Sequence, residues 1–94
     1  MYINRRTFKV KPGAMEEAVK LAKYEIERSE SNGIVYTAEF GPFDVMVVDF
    51  QFESLAEYQK GWSEWATTPE AVKFLEKWHT LVESGGTNEL WLVT

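Results

Sequence analysis

The sequence predicts an α+β fold in which a four-stranded antiparallel sheet carries all of its helices on one face. Two observations lead to this prediction. Segments with helical and with strand periodicity follow one another in the order βαββααβ. The 94 residues contain no internal repeat, low-complexity tract or linker, so we expect a single domain over residues 1–94.

The first strand and the first helix are separated by a proline and a glycine. Tyr2–Val10 has moderate strand propensity, and Pro12 and Gly13 end it. Apolar residues then recur at helical spacing as far as Ile26 and predict a helix. We expect Ser29–Gly33 to end that helix, because its asparagine and glycine favour the left-handed conformation of a C-terminal cap.

The second and third strands form a predicted hairpin. Ile34–Phe40 and Val45–Phe52 flank the turn sequence GPFD. Both faces of the third strand are at least half apolar, so we expect both faces of the sheet to be covered. The helices of the chain suffice for one face. A second copy of the same sheet is the expected cover for the other, which predicts a homodimer through the sheet faces.

Two further helices and a last strand complete the chain. Ser54 and Glu57 form a capping box that begins the second helix. The third helix begins at Pro69 after the N-cap residue Thr68, and we expect it to end near Ser84, where two glycines follow. The almost wholly apolar ELWLV predicts the final strand. This order of elements is typical of a ferredoxin-like fold.

The composition argues against several classes of function. A net charge of -5 without a Lys/Arg-rich run disfavours nucleic acid as a partner. The chain has no cysteine, hence no disulfide or thiolate nucleophile, and no sequence signature of a metal, nucleotide or hydrolase site, so we expect no metal and no cofactor. No segment approaches the roughly 18 apolar residues of a membrane span, and we expect a soluble, cytoplasmic protein with no membrane partner.

Two segments on either side of the hairpin resemble the NIPSNAP-type proteins of the dimeric α+β barrel superfamily: RTFKVKPGAMEE and FESLAEYQKGWSEWATTPEAVKFL. A more distant resemblance links the chain to antibiotic-biosynthesis-type monooxygenases. The resemblance implies a homodimer whose two sheets face each other, with any ligand pocket between sheet and helices. It does not imply one chemistry, because the superfamily includes cofactor-independent oxygenases, haem-degrading enzymes, isomerases and members of unknown role.

Haem degradation is the most specific hypothesis that the resemblance raises, since haem-degrading members use an Asn on the first strand with a Trp and a His from the helices. The chain offers a candidate for each: Asn4, Trp62 or Trp65, and His79. Aligning the glycine that opens the first helix, however, puts Arg6 in the place of the Asn. The His of these enzymes should follow the Trp by about ten residues, where this chain has Val72 or Leu75. We therefore expect no specific haem binding, and interpret His79 as a solvated histidine at helical spacing from Glu76 and Glu83.

Three tryptophans lie on the apolar stripes of the second and third helices, namely Trp62, Trp65 and Trp78. Large aromatic residues in such positions usually belong to a core. They are also hard to pack to full density against a small sheet, and the superfamily keeps its ligands in that layer. The two interpretations, core and pocket wall, are compatible.

Arg6 is the strongest candidate for a ligand contact. It shares a strand face with Phe8, so if that face meets the helices, Arg6 lies in the same layer as the tryptophans. A guanidinium there requires a carboxylate or a ligand. Two alternatives stay open, an internal ion pair with Glu39 or Asp49, and a bound anion. Arg5 points to the opposite face, where Asp49 of a partner chain is expected to neutralise it.

Two functions are therefore compatible with the sequence. One is a small-molecule-binding dimeric α+β barrel, such as a cofactor-independent oxygenase or isomerase that acts on an aromatic or acidic metabolite. The other is a non-catalytic regulatory or scaffolding protein in which the aromatic residues are only core. The candidate ligand-binding residues are Asn4, Arg6, Trp62, Trp65, Trp78 and His79.

Overall fold

The computed structural model describes residues 1–94 and contains four strands and three helices in the predicted order. The strands are β1 (Tyr2–Val10), β2 (Gly33–Thr37), β3 (Val45–Phe52) and β4 (Val82–Leu92), and the helices are α1 (Met15–Arg28), α2 (Leu55–Ala66) and α3 (Pro69–Trp78). The strands form one antiparallel sheet in the order β2-β3-β1-β4. This is the predicted α+β, ferredoxin-like architecture.

The sheet has one face that packs against the helices, the helix face, and one that does not, the open face. On the helix face, Val10, Met46 and Val48 are buried against small residues of α1 and against Trp78. The pairing registers place these residues on the open face: Ile3, Arg5, Ile34, Tyr36, Val47, Asp49, Glu89 and Trp91. The helices of the chain therefore cover one face of the sheet and leave the other uncovered.

Helix α1 ends in a Schellman motif, but the left-handed residue is not the expected one. Glu30 has φ 55°, its N–H donates to the carbonyl of Glu27 at 3.2 Å, and the N–H of Ser31 donates to that of Ile26 at 3.1 Å. The prediction of a left-handed asparagine or glycine is wrong. Gly33 instead begins β2, at a point where a Cβ atom would lie 2.8 Å from Cδ1 of Ile26.

Strand β2 is shorter than predicted. It ends at Thr37 rather than at Phe40, and residues 38–44 form a loop that returns the chain to β3. The loop contains left-handed backbone at Asp44, with φ 58°, which breaks the strand conformation. Phe40 and Phe43 are almost fully exposed there.

Helix α3 ends at Trp78, before the predicted end near Ser84. A short turn leads into β4, and the paired glycines belong to that strand rather than ending the helix. Gly85 has φ 101°, and a Cβ on Gly86 would lie 2.2 Å from the carbonyl oxygen of Thr7. The register of β1 and β4 shifts at this place. The glycines therefore permit a β-bulge and a close approach between the two strands.

No helix in this fold combines the length and apolar character that crossing a bilayer requires. The cytoplasmic location expected from the sequence stays a prediction.

Candidate functional site

A cavity of about 1000 Å³ lies between the helix face of the sheet and the three helices. Its volume is at the upper end of the range of about 300–1,000 Å³ that is typical of small-molecule sites. Five of the six predicted site residues line it: Arg6, Trp62, Trp65, Trp78 and His79. The sixth, Asn4, is 0% exposed and contacts Arg6 instead of lining the cavity.

Helix α2 forms one wall of the cavity and packs loosely on the sheet. None of the residues of α2 is buried, although its N-terminus is well capped by Ser54, whose Oγ accepts from the N–H of Glu57 at 3.1 Å. Trp62 and Trp65 project from this helix, and both are only partly buried. The wall that α2 contributes is therefore formed by two large rings that are not fully packed.

The aromatic rings form a continuous wall of the cavity. Neighbouring centroids are 5.0–5.8 Å apart and all but one pair are edge to face. Along this wall the rings follow in the order Phe50, Trp62, Trp65, Phe74, Trp78 and Phe8. Trp78 belongs to the buried core cluster, whereas Trp62 and Trp65 lie outside it. Trp78 is therefore a core residue that also borders the cavity, whereas Trp62 and Trp65 are mainly pocket wall.

Arg6 enters the cavity wall from β1 and lies over Trp62. The central carbon of its guanidinium is 3.7 Å from the centroid of the Trp62 ring, a cation–π contact. Its Nε donates to Oδ1 of Asn4 at 3.1 Å. Burial lowers the pKa of the Arg6 guanidinium, and the nearby phenol of Tyr58 opposes this shift. Nε1 of Trp62 is also buried and has no hydrogen-bond acceptor in the protein.

Arg6 forms no ion pair, so the expected alternative of a bond to Glu39 or Asp49 is wrong. Glu39 lies in the exposed loop after β2. Asp49 lies opposite Arg5 in the β1–β3 register, and because a carboxylate on the open face cannot reach the helix face, it is unavailable to Arg6.

Asp49 instead binds Arg5 within the same chain. Nε and Nη2 of Arg5 donate to the two carboxylate oxygens, each at 2.8 Å. These hydrogen bonds hold the pKa of Asp49 below its usual range and raise the pKa of Arg5, although Asp49 is only 5% exposed. The expectation that a partner chain supplies this carboxylate is therefore corrected.

Glu25 is a cavity residue that the sequence did not reveal. It is 7% exposed, accepts hydrogen bonds from Nε and Nη2 of Arg28, and accepts from Nε1 of Trp65 at 2.7 Å. The hydrogen bonds from Arg28 chiefly lower the pKa of the Glu25 carboxyl. Glu25 therefore ties α1 to α2 beside the cavity. The signal was its spacing from Ala18 and Ala22, which places it on the buried stripe of α1.

His79 is the C-cap residue of α3 and lies, exposed, among the residues that line the cavity. Glu83 belongs to β4, so the predicted helical spacing between it and His79 does not exist. The structure contains no group of three or more His, Cys, Asp or Glu side chains that could hold a metal ion. That haem does not bind specifically stays a prediction.

The comparisons with known proteins agree with the predicted resemblance. The NIPSNAP family model matches residues 3–91. A search of curated proteins finds no match. A NIPSNAP family protein of unknown function from Agrobacterium tumefaciens superimposes with a TM-score of 0.83 at 25% identity, over 97% of this chain and 86% of that chain. An uncharacterised NIPSNAP domain protein from Burkholderia xenovorans gives 0.84 at 13% identity, over 100% and 95%.

A more distant group of solved structures shares only the fold. An antibiotic biosynthesis monooxygenase superimposes with a TM-score of 0.75 at 13% identity, over 100% of this chain and 99% of that chain. The family match, in contrast, spans almost the whole sequence. The chain therefore belongs to the NIPSNAP family.

Proposed function

We propose that this protein binds an acidic aromatic small molecule between its sheet and its helices. The observation that carries the proposal is the guanidinium of Arg6, which lines the cavity without a carboxylate partner. A partly buried charge without a counter-ion is costly, and the lowered pKa of Arg6 reflects that burial. A ligand carboxylate in the cavity would supply the missing partner through charge-assisted hydrogen bonds.

The aromatic wall supports a flat, apolar body for the same ligand. Trp62 and Trp65 meet edge to face at 5.8 Å, and the remaining rings extend this wall towards α3. Aromatic rings prefer offset-stacked or edge-to-face contacts, so a second ring system fits such a wall better than a flexible chain does. Arg6 lies at the Trp62 end of the wall, where it would orient the acidic group.

The next question is which reaction, if any, the cavity catalyses. A cofactor-independent oxygenase or isomerase stays the catalytic hypothesis for this chain, and the solved antibiotic biosynthesis monooxygenase of the same fold supports the oxygenase alternative. Glu25 is the buried carboxylate of the cavity wall, but Arg28 and Trp65 already occupy its oxygens, so it is poorly placed as a general base. The contacts favour binding more directly than they favour catalysis.

A homodimer through the open faces is the second part of the proposal. Trp91 is 56% exposed on that face, and Ile34 and Tyr36 are exposed on the same face at the opposite edge of the sheet. An antiparallel sheet usually presents a polar open face to water, so the large apolar residues exposed on this face favour a second copy as its cover. Sedimentation at micromolar concentration should give twice the chain mass. The interface of such a dimer should bury more than roughly 1,000 Å².

A matched pair of variants tests where the two copies meet. Trp91→Glu should dissociate the dimer, because it buries a carboxylate in the interface. Val72→Glu is the control, because Val72 is exposed to a similar degree on α3, on the other side of the molecule. A wild-type monomer would contradict the dimer, and dissociation by Val72→Glu alone would contradict the open face as its interface.

A thermal-shift screen tests ligand binding. Aromatic carboxylates of increasing size should raise the melting temperature, and their neutral amides should raise it less. If no compound of either kind shifts the melting temperature, the small-molecule proposal fails. The non-catalytic regulatory or scaffolding role would then be the better account of the fold.

A further inference from the structure

The amide of Asn4 uses all of its hydrogen-bonding groups. Its nitrogen donates to Oδ1 of Asn88 at 2.6 Å and to the main-chain carbonyl of Glu89 at 2.9 Å. Its oxygen accepts from Nε of Arg6 at 3.1 Å. A carbonyl can only accept and a guanidinium can only donate, so the orientation of this amide is fixed by its neighbours.

An amide is the side chain that these neighbours require. A carboxylate at this position would accept from Arg6 but would present a second oxygen to the carbonyl of Glu89, with no proton between them. A hydrocarbon would contact neither. Asn4 therefore connects Arg6 to β4 through a neutral group.

The neutrality of Asn4 distinguishes Arg6 from the other arginines of the chain. Arg5 and Arg28 each donate through both Nε and Nη2 to one carboxylate, Asp49 and Glu25 respectively. Arg6 instead donates through Nε to an uncharged acceptor, the amide of Asn4. The neutral phenol of Tyr58 is the only other acceptor near its guanidinium, no carboxylate pairs with it, and the side chain lines the cavity.

We propose that Asn4 is a positioning residue that holds Arg6 over Trp62 without neutralising it, and that this makes the cavity selective for a carboxylate over a neutral ligand of the same shape. The inference rests on the proposed function and adds the class of ligand and the residue that sets it. Asn4 does not touch the ligand. It acts by fixing Nε, which leaves the outer donors of Arg6 for the ligand.

The binding experiment compares two probes of equal shape, 2-naphthoate and 2-naphthamide, by isothermal titration. The wild-type protein should prefer the naphthoate, and Asn4→Asp should reduce this preference by about tenfold, because the new carboxylate pairs with Arg6. Affinity for the naphthamide should stay unchanged. Gln59→Glu, which adds the same charge to the exposed surface of α2 outside the cavity, should keep the preference. Asn4→Asp with the wild-type preference would overturn the inference.

A second measurement needs no ligand. The Trp62 ring lies beside Arg6, so ring currents should shift the NMR resonance of the Arg6 Nε–H, and the bond to Asn4 should slow its exchange with water. Asn4→Leu should move this resonance towards its random-coil position and speed its exchange, whereas Asn4→Asp should keep Arg6 in place. An unchanged resonance in Asn4→Leu would overturn the positioning role.

A further variant covers the case in which Asn4→Leu does not fold. If Asn4→Leu does not fold, Asn88→Ala removes one anchor of the Asn4 amide from an exposed position and should shift the same resonance in the same direction. If neither probe binds the wild-type protein, the proposed function and the ligand selectivity fail together. The NMR measurement then still decides whether Asn4 positions Arg6.

Discussion

Arg5 and Arg6 are neighbours in the chain and lie in opposite environments. On the open face, Arg5 forms two hydrogen bonds of 2.8 Å with the carboxylate of Asp49. On the helix face, Arg6 is held by a neutral amide and a Trp ring, at the edge of a cavity of about 1000 Å³. An arginine thus has a carboxylate partner on the open face and has none on the helix face.

The difference between the two arginines follows from the alternation of side chains along a strand. Successive residues of a strand point to opposite faces, so a single RR pair supplies one guanidinium to each side of the sheet. A buried ion pair contributes little net stability, but the loss of one partner is strongly destabilising. Arg5 should therefore matter for folding, whereas Arg6 should matter for binding.

Removing Arg5 should have the largest effect on stability. Arg5→Met strands the carboxylate of Asp49, whose side chain is 7% exposed. We expect a loss of about 2–3 kcal/mol in the free energy of unfolding, below the range for fully buried pairs because Arg5 itself is half exposed. Urea denaturation measures this loss. Lys9→Met is the control, since Lys9 is exposed on the same strand and forms no ion pair; an equal loss there would contradict the account.

The contribution of Asp49 to the pH dependence of stability should change sign in the same variant. The depressed pKa of Asp49 means that its stabilisation is complete above the unfolded value of about 4 and is lost as the pH falls through the lower folded value. Without Arg5, burial raises the pKa of Asp49, so its contribution to stability should instead be lost as the pH rises from about 4 towards the raised folded pKa. Melting temperatures measured from acid to neutral pH test this, and parallel curves for the two proteins would refute it.

Glu25 should have an intermediate effect, because it pairs with Arg28 and also holds Trp65. Glu25→Gln keeps the size of the side chain and an acceptor for Nε1 of Trp65 but removes the charge. We expect a loss of about 1 kcal/mol in the free energy of unfolding, together with weaker destabilisation by acid. Glu27→Gln, at an exposed position of the same helix, should change the stability by less than about 0.5 kcal/mol. Equal effects of the two variants would show that the buried contact is unimportant.

Arg6 should have the smallest effect on stability. Arg6→Met leaves no carboxylate unpaired, because Arg6 forms no ion pair, and it removes a partly buried charge. The methionine side chain can still pack on Trp62, as the aliphatic part of Arg6 does. The free energy of unfolding should stay within about 1 kcal/mol of the wild-type value, because only one hydrogen bond and a cation–π contact are lost. A loss as large as that of Arg5→Met would mean that Arg6 is a structural residue.

The sequence predicts most of the fold because periodicity is a local property. The stripes of α1, α2 and α3 and the alternation in β3 each follow from neighbouring residues, and the capping residues Ser54 and Thr68 begin their helices as predicted. The errors at the ends of α1 and α3 concern glycines whose role depends on distant backbone. Gly86 looks like a helix stop, but it is required by the carbonyl of Thr7 on another strand.

The candidate site was predicted in its parts but not in its connections. Arg6 and the tryptophans follow from the faces of their elements. That Asp49 binds Arg5 and not Arg6 depends on the register of β1 and β3, and that Glu25 contacts Trp65 depends on how α1 and α2 approach each other. Neither the register nor the helix packing is a local property, so neither was available from spacing alone.

If the charge of Arg6 serves a ligand rather than the fold, its removal should weaken binding and leave the fold intact. Titration of 2-naphthoate into the wild-type protein and into Arg6→Met, with unfolding measured on the same samples, separates the two effects. We expect the free energy of unfolding of Arg6→Met to stay within about 1 kcal/mol of the wild-type value, and the probe to bind at least about 2 kcal/mol more weakly, or about thirtyfold. Equal affinity of the two proteins for the probe would contradict it.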